Sequence, residues 1–286
     1  DYFQVAAFAR QVDPASWDRF SLRVERNTQR LLDLFAERGV KATFFVLGWV
    51  AERCPGLVRT IAENGHEVAC HGYSHQLIYE QTPAIFREET VRAKACLEDQ
   101  AQRPMLGYRA ASYSITQRSL WALDVLAELG FAYDSSIFPI HHDRYGIPDS
   151  PRWPYRLTTP NGSSFLEFPP STFSILGYRL PVAGGGYFRL YPYKFTRFAL
   201  IRLNRVEGQP FIFYLHPWEI DPEQPRIHAG WLSTFRHYTN LHRCEARLRR
   251  LLRDFRFTTV REVLEEYLVA LKPLKATDRA VAAVRV

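Results

Sequence analysis

Short apolar runs alternate with amphipathic stretches along most of this chain. Lys41 to Trp49, Glu67 to His71, Met105 to Arg109, Phe131 to Asp134, Ser164 to Phe168 and Pro210 to Leu215 are compact and apolar, a pattern that predicts strands. Helical patterns lie between them. One runs from Asn27 to Arg38 and is closed by Gly39, and one from Leu57 to Asn64 is closed by Gly65. Thr82-Pro83 opens a long helix to about Gln100, and Thr116 caps another that ends at Gly130. Two more helical stretches are expected between Thr239 and Ala270. This alternation predicts an α/β fold of parallel βαβ units with right-handed crossovers, at a length that suits a closed or nearly closed barrel.

The remaining segments read as connections. Ile140 to Pro154 is broken by Gly146, Pro148 and Pro151, so a loop is expected. Gly184-Gly185-Gly186 reads as a flexible turn at the barrel mouth. It lacks the Gly-Lys-Ser/Thr of a phosphate loop, which argues against a nucleotide ligand. Residues 1–270 are expected to form the barrel, with added C-terminal helices from about residue 220, and 271–286 a loose basic tail.

Composition narrows the classes. Hydrophobic residues make up 47% of the 286 and charged residues 23%, so the chain can build a core and is not of a disordered type. No apolar run reaches the ~18 residues of a membrane span, and the opening residues are not expected to act as a signal peptide. The four cysteines, Cys54, Cys70, Cys96 and Cys244, show no paired spacing. They read as buried thiols of a reducing compartment, and a cytoplasmic location is expected. The net charge of +7 draws on Arg243, Arg247, Arg249, Arg250, Arg253 and Arg256. A solvated basic helix accounts for these, and attraction to an anionic saccharide or lipid is the alternative. No nucleic-acid module is present, so no nucleic-acid partner is expected.

Four predicted strands end in residues that do chemistry: His71, Arg109, Asp134 and His216. In a parallel barrel such ends share one rim. His71 and His75, four apart across a strand end, can point at one metal ion. Cys70 should face away from His71, because neighbours on a strand point to opposite faces. His141-His142-Asp143 is a rival metal cluster or a substrate-loop element, His66 reads as a turn residue, and His237 and His242 read as surface residues.

His71 and His75, Gly107-Tyr108-Arg109-Ala110, Tyr133-Asp134-Ser135-Ser136 and Leu215-His216-Pro217, in this order, resemble the polysaccharide deacetylases of carbohydrate esterase family 4. This group shares the nodulation-type chitooligosaccharide deacetylase domain. Asp1 to Val5, Tyr133 to Pro148 and Gly184 to Tyr193 are similar to a bacterial subgroup associated with exopolysaccharide biosynthesis. The resemblance implies a deformed, TIM-like (β/α) barrel of about seven strands. It implies metal-dependent removal of N-acetyl or O-acetyl groups from an acetylated polysaccharide or oligosaccharide. The divalent metal would be zinc, with cobalt or nickel as alternatives.

By the same resemblance His71 and His75 are metal ligands, and Arg109 positions a catalytic aspartate. Asp134 pairs with the distal histidine, His216, which protonates the leaving amine. The oxyanion would meet a backbone N–H near Ala110 or Ala111. Tyr108, Ala110, Tyr187 and Trp218 are the candidate substrate contacts, although Tyr187, Trp218 and Trp153 could equally be core. The family's first motif carries several acids at the end of strand one. Here Asp1 alone stands for it, as metal ligand or base, and the strand that should precede it is absent. A saccharide-binding barrel without activity and a small-molecule amide hydrolase are the competing readings.

Overall fold

The computed structural model describes residues 1–270, so the expected tail at 271–286 lies outside the described residues. Its centre is a six-stranded sheet in the order β1 (Thr43–Val46), β2 (Glu67–Cys70), β3 (Gly107–Tyr108), β4 (Tyr133–Asp134), β6 (Ser164–Glu167), β5 (Tyr155–Thr158). The first five run parallel, and β5 is antiparallel to β6. A second sheet is the hairpin β7 (Thr172–Ile175) and β8 (Tyr178–Pro181).

Helices fill the crossovers. α1 (Val24–Ala36) precedes β1, α2 (Gly48–Arg53) and α3 (Pro55–Glu63) join β1 to β2, and α4 (Pro83–Ala101) joins β2 to β3. α5 (Trp121–Glu128) joins β3 to β4. The caps follow the sequence: the Thr82 hydroxyl accepts from the Ile85 N–H, and Thr116 and Ser119 form a capping box. After the hairpin come α6 (Gly185–Leu190), α7 (Tyr193–Ile201), α8 (Trp231–Tyr238), α9 (Leu241–Asp254) and α10 (Val260–Ala270).

The sheet is nearly complete but open among the described residues. β1 is an edge strand, and Pro210 to Leu215, expected as a strand, forms only a single bridge, from Tyr214 to Gly184. Gly107 allows β3 and β4 to pair, because a Cβ there would sit 2.2 Å from the Tyr133 ring. The expected turn at Gly184-Gly185-Gly186 instead opens α6, and β5 and the β7–β8 hairpin were not legible as strands. His66 is also no turn residue. It is buried and its Nδ1 accepts the Ala42 N–H at 3.1 Å.

Candidate active site

β2 ends at Cys70, whose side chain is fully buried, and alternation turns His71 to the other face. The loop after β2 is pinned by α2, where Gly48 N–H donates to Gly72 C=O (2.9 Å) and Trp49 N–H to Tyr73 C=O (3.3 Å). Gly72 and His75 both take positive φ, which folds the second histidine back over the first. The two imidazole centroids lie 5.3 Å apart. His71 Nδ1 donates to the Arg109 carbonyl at 2.5 Å, since a carbonyl can only accept, so the His71 Nε2 lone pair is free. Burial lowers His71 to about 4 and puts His75 well below its usual value, with the neighbouring His71 adding to the effect. Both rings are therefore neutral, the form that binds a metal.

His71, His75, Arg109 and His216 line one cavity of about 510 Å³, together with Tyr113, Tyr214, Trp218 and Arg236. Arg109 is buried. Its guanidinium donates to the Ser135 carbonyl (3.1 Å) and hydroxyl (2.8 Å) and lies 4.1 Å from the centre of the Phe45 ring. Among the described residues no carboxylate stands within 4.0 Å of it.

His216 opens a 3-10 turn, Pro217–Ile220, and its Nδ1 meets Glu219 Oε1 at 2.8 Å. The same carboxylate oxygen accepts the His216 backbone N–H (2.9 Å), and its other oxygen accepts Arg189 Nε (2.7 Å). Arg189 in turn donates to the carbonyls of Arg236, His237 and Thr239. Burial alone would raise Glu219, but the hydrogen bond from His216 and the charge of Arg189 hold it at about 2. It is therefore ionised at neutral pH and fixes the His216 ring with Nε2 outward. Trp218 stacks between His216 and a buried His237 (centroids 5.3 and 4.1 Å). His237 is thus a wall of the site and not the surface residue expected.

Asp134 does not reach His216, which corrects the expected pairing. Its register partners are Tyr108 and Glu167. Tyr108 packs on Phe86 and Phe131, so this face of the sheet looks toward the helices, while Arg109, one residue on, lines the cavity and is held there by the buried Ser135. Asp134 accepts from Ser136 N–H (3.1 Å) and Oγ (2.6 Å). Burial raises it to about 6, and the adjacent buried Glu167 is raised further, so the two carboxyls share a proton.

Asp1 is also placed otherwise than expected. It lines the same cavity as the imidazoles, but its carboxylate accepts the N–H groups of Tyr2 (2.8 Å), Arg23 (2.8 Å) and Val24 (3.1 Å) and is spent on the start of α1. Among the described residues no three His, Cys, Asp or Glu side chains converge to hold a metal. His71 and His75 fit as two donors, and the carboxylate of the expected set is not supplied by Asp1.

The substrate candidates divide. Tyr108 and Ala110 are buried, and the Ala110 N–H is committed to Ser136 Oγ (2.7 Å), so neither offers a free donor. Trp218 lines the cavity, whereas Tyr187 packs beside Tyr191 (5.8 Å) behind it. His142 stacks on Tyr145 (3.8 Å) and pairs with Asp143, so that cluster is not aimed at a metal. Glu219 and Arg189 were missed. The His-Pro-Trp-Glu spacing was a usable signal, because Pro suits the first turn position and an acid at the third closes a capping box with the residue at the N-cap, His216.

Two family models divide the chain. Residues 15–133 match the polysaccharide deacetylase model, and residues 135–265 match a domain of unknown function, DUF3473. A chitooligosaccharide deacetylase of Bradyrhizobium sp. is 32% identical over 100 residues, 35% of this chain and 43% of that protein. A peptidoglycan-N-acetylglucosamine deacetylase of Bacillus cereus is 36% identical over 70 residues, 24% of this chain and 26% of that protein. The matched segments thus span less than half of either relative. A Mycobacterium smegmatis structure assigned as a polysaccharide deacetylase superposes with a TM-score of 0.63 at 24% identity, covering 96% of this chain and 90% of that one. A Puue allantoinase structure gives 0.58 at 18% identity, covering 87% and 74%. These two likenesses establish the fold, α/β of the deacetylase type.

Proposed function

We propose that this chain, whose residues 15–133 match the polysaccharide deacetylase model, hydrolyses acetyl groups from N-acetylated or O-acetylated sugars of a bacterial exopolysaccharide or its precursor. The observation that carries the reading is the convergence on one cavity of a neutral imidazole pair and of an imidazole anchored to a buried carboxylate. His71 and His75 would hold a divalent metal, zinc first and cobalt or nickel as alternatives. Such an ion supplies Lewis acidity to the acetyl carbonyl and to water.

The chain's own residues do the rest. Glu219 holds the His216 ring through Nδ1 and leaves Nε2 toward the cavity, the position from which an imidazole can protonate a leaving nitrogen. With the Ala110 N–H engaged, the Ala111 N–H remains as the oxyanion donor of that loop. Arg109 is a buried cation that needs an anion. Room for one exists beside it: β1 is an edge strand among the described residues, and Phe44, Phe45, Phe211, Phe213 and Leu215 are only half-buried although they line the central cavity.

The test is acetate release from a panel of acetylated glycans with added zinc, cobalt or nickel. His71→Ala and His75→Ala should abolish both bound metal and acetate release. A protein that binds no divalent ion would overturn the reading. The engagement of Asp1 with α1 favours one second reading, a barrel that binds saccharide without cleaving it. Glycan binding with no acetate release under any of the three metals would decide for it.

A further inference from the structure

A second feature of the rim has no part in the chemistry above. The two-residue loop of the β7–β8 hairpin is Leu176-Gly177, and both residues have positive φ. Such loops ordinarily carry Asn, Asp or Gly first. Here a leucine bears the backbone strain while its side chain is 92% exposed, and Tyr178 beside it is 75% exposed. Strain and exposed apolar surface both oppose folding, so this tip is retained against its cost to stability. α8 repeats the theme. Trp231, Leu232 and Phe235 share one face of the helix and are 80%, 42% and 51% exposed, while His237 on the other face is buried against Trp218.

Both elements leave the rim that carries His71, Arg109 and His216. The hairpin follows the C-terminal end of β6, and α8 follows His216. They are joined by contacts through α6 and α7: Arg189 holds the carbonyls at the end of α8, Tyr191 packs on Phe195, and Phe195 packs on Phe173 of the hairpin.

Charge indicates what covers this surface. Residues 171–254 hold thirteen Lys and Arg against six Asp and Glu, an excess of seven. That is the whole excess of the chain, which has 37 against 30. Arg226, Arg236 and Arg243, on or flanking α8, form no ion pair among the described residues. Aliphatic tips with aromatic anchors and a basic rim fit an anionic lipid surface. A sugar platform would be built from flat rings alone, and Leu176 and Leu232 offer none.

We propose that the rim bearing α8 and the β7–β8 hairpin docks on an anionic membrane, with the cavity mouth turned toward the bilayer. Hydrolysis is not needed for this docking. Its test therefore reads binding alone and can fail while the deacetylase reading stands.

The full chain is sedimented with phosphatidylcholine vesicles, with and without about one third phosphatidylglycerol, at low and high salt. Binding is expected only to the anionic vesicles, weakened by salt. Leu176→Ser combined with Trp231→Ser should reduce it at least ~10-fold, and Arg226→Gln and Arg243→Gln about five-fold each. Circular dichroism melting checks that the exposed substitutions leave the fold intact. No binding to anionic vesicles overturns the proposal, as does binding that the double substitution leaves unchanged. Loss of soluble-glycan binding in Trp231→Ser, without vesicle binding by the parent, reassigns α8 to the glycan. Vesicle-free self-association abolished by the same substitutions assigns the face to a second copy of the chain.

Discussion

Glu219 and Asp134 are both fully buried acids near the rim, yet their surroundings assign them opposite roles. Glu219 is paired with Arg189 and bonded to His216, which holds it ionised. Glu219→Gln keeps the shape but removes the carboxylate that accepts from His216 Nδ1 and fixes the ring. It should lower kcat by about 10²-fold with little change in KM, measured as acetate release. Asp134 faces the helix layer and shares a proton with Glu167. Its folded value lies above its unfolded one, so it weakens the fold as pH rises from about 4 through 6. Asp134→Asn should therefore retain most activity and raise stability at pH 8, measured by urea unfolding. A loss of kcat like that of Glu219→Gln would restore Asp134 as the partner of His216. The alternation that separated Cys70 from His71 also separates Asp134 from Arg109, so this part of the site was legible in the sequence and was missed.

At the scale of elements, legibility followed local signals. β1 to β4, α1, α3, α4 and the Thr116 cap declare themselves through apolar runs, Gly stops and polar caps, each set within a few residues. β5 and the β7–β8 hairpin do not, because β5 alternates over only four residues between half-buried and exposed positions and β7 and β8 do not alternate. The triple glycine was legible as a special place but not as the start of a helix. Its reason is tertiary: at Gly184, with φ 125°, a Cβ would sit 1.9 Å from the Tyr214 carbonyl oxygen. That contact includes the Gly185 N–H donating to the Tyr214 carbonyl at 2.9 Å, and it ties α6 to the segment ending in His216. Gly184→Ala should cost about 2–3 kcal/mol by thermal melting. It should also lower kcat, because His216 moves with Tyr214. A variant with wild-type melting and activity would show that the contact does not position His216.

Taken whole, the molecule keeps a set of histidines neutral in its interior. Burial holds His66 and His71 at about 4 and His237 at about 3, and His75 shifts the same way. Each ordinarily titrates near 6.5, so the unfolded chain takes up protons that the folded chain refuses. Stability is then full above about 6.5 and falls as pH drops toward 4. Around pH 5 the three valued groups contribute a slope of about 4 kcal/mol per pH unit, which the raised carboxyls of Asp134 and Glu167 oppose over the same range. Metal-free protein should accordingly lose stability below pH 6.5 by less than the histidines alone would give. Urea unfolding at a series of pH values measures the slope directly. His66→Phe and His237→Phe should each flatten it by about one proton, since neither ring contacts the proposed metal. Added zinc should move the acid transition to lower pH only while His71 and His75 are both present, because the ion competes with protons for their ring nitrogens. A flat profile between pH 6.5 and 4 would mean that these rings are not held neutral. The imidazole pair would then lack the free lone pairs on which the metal assignment rests.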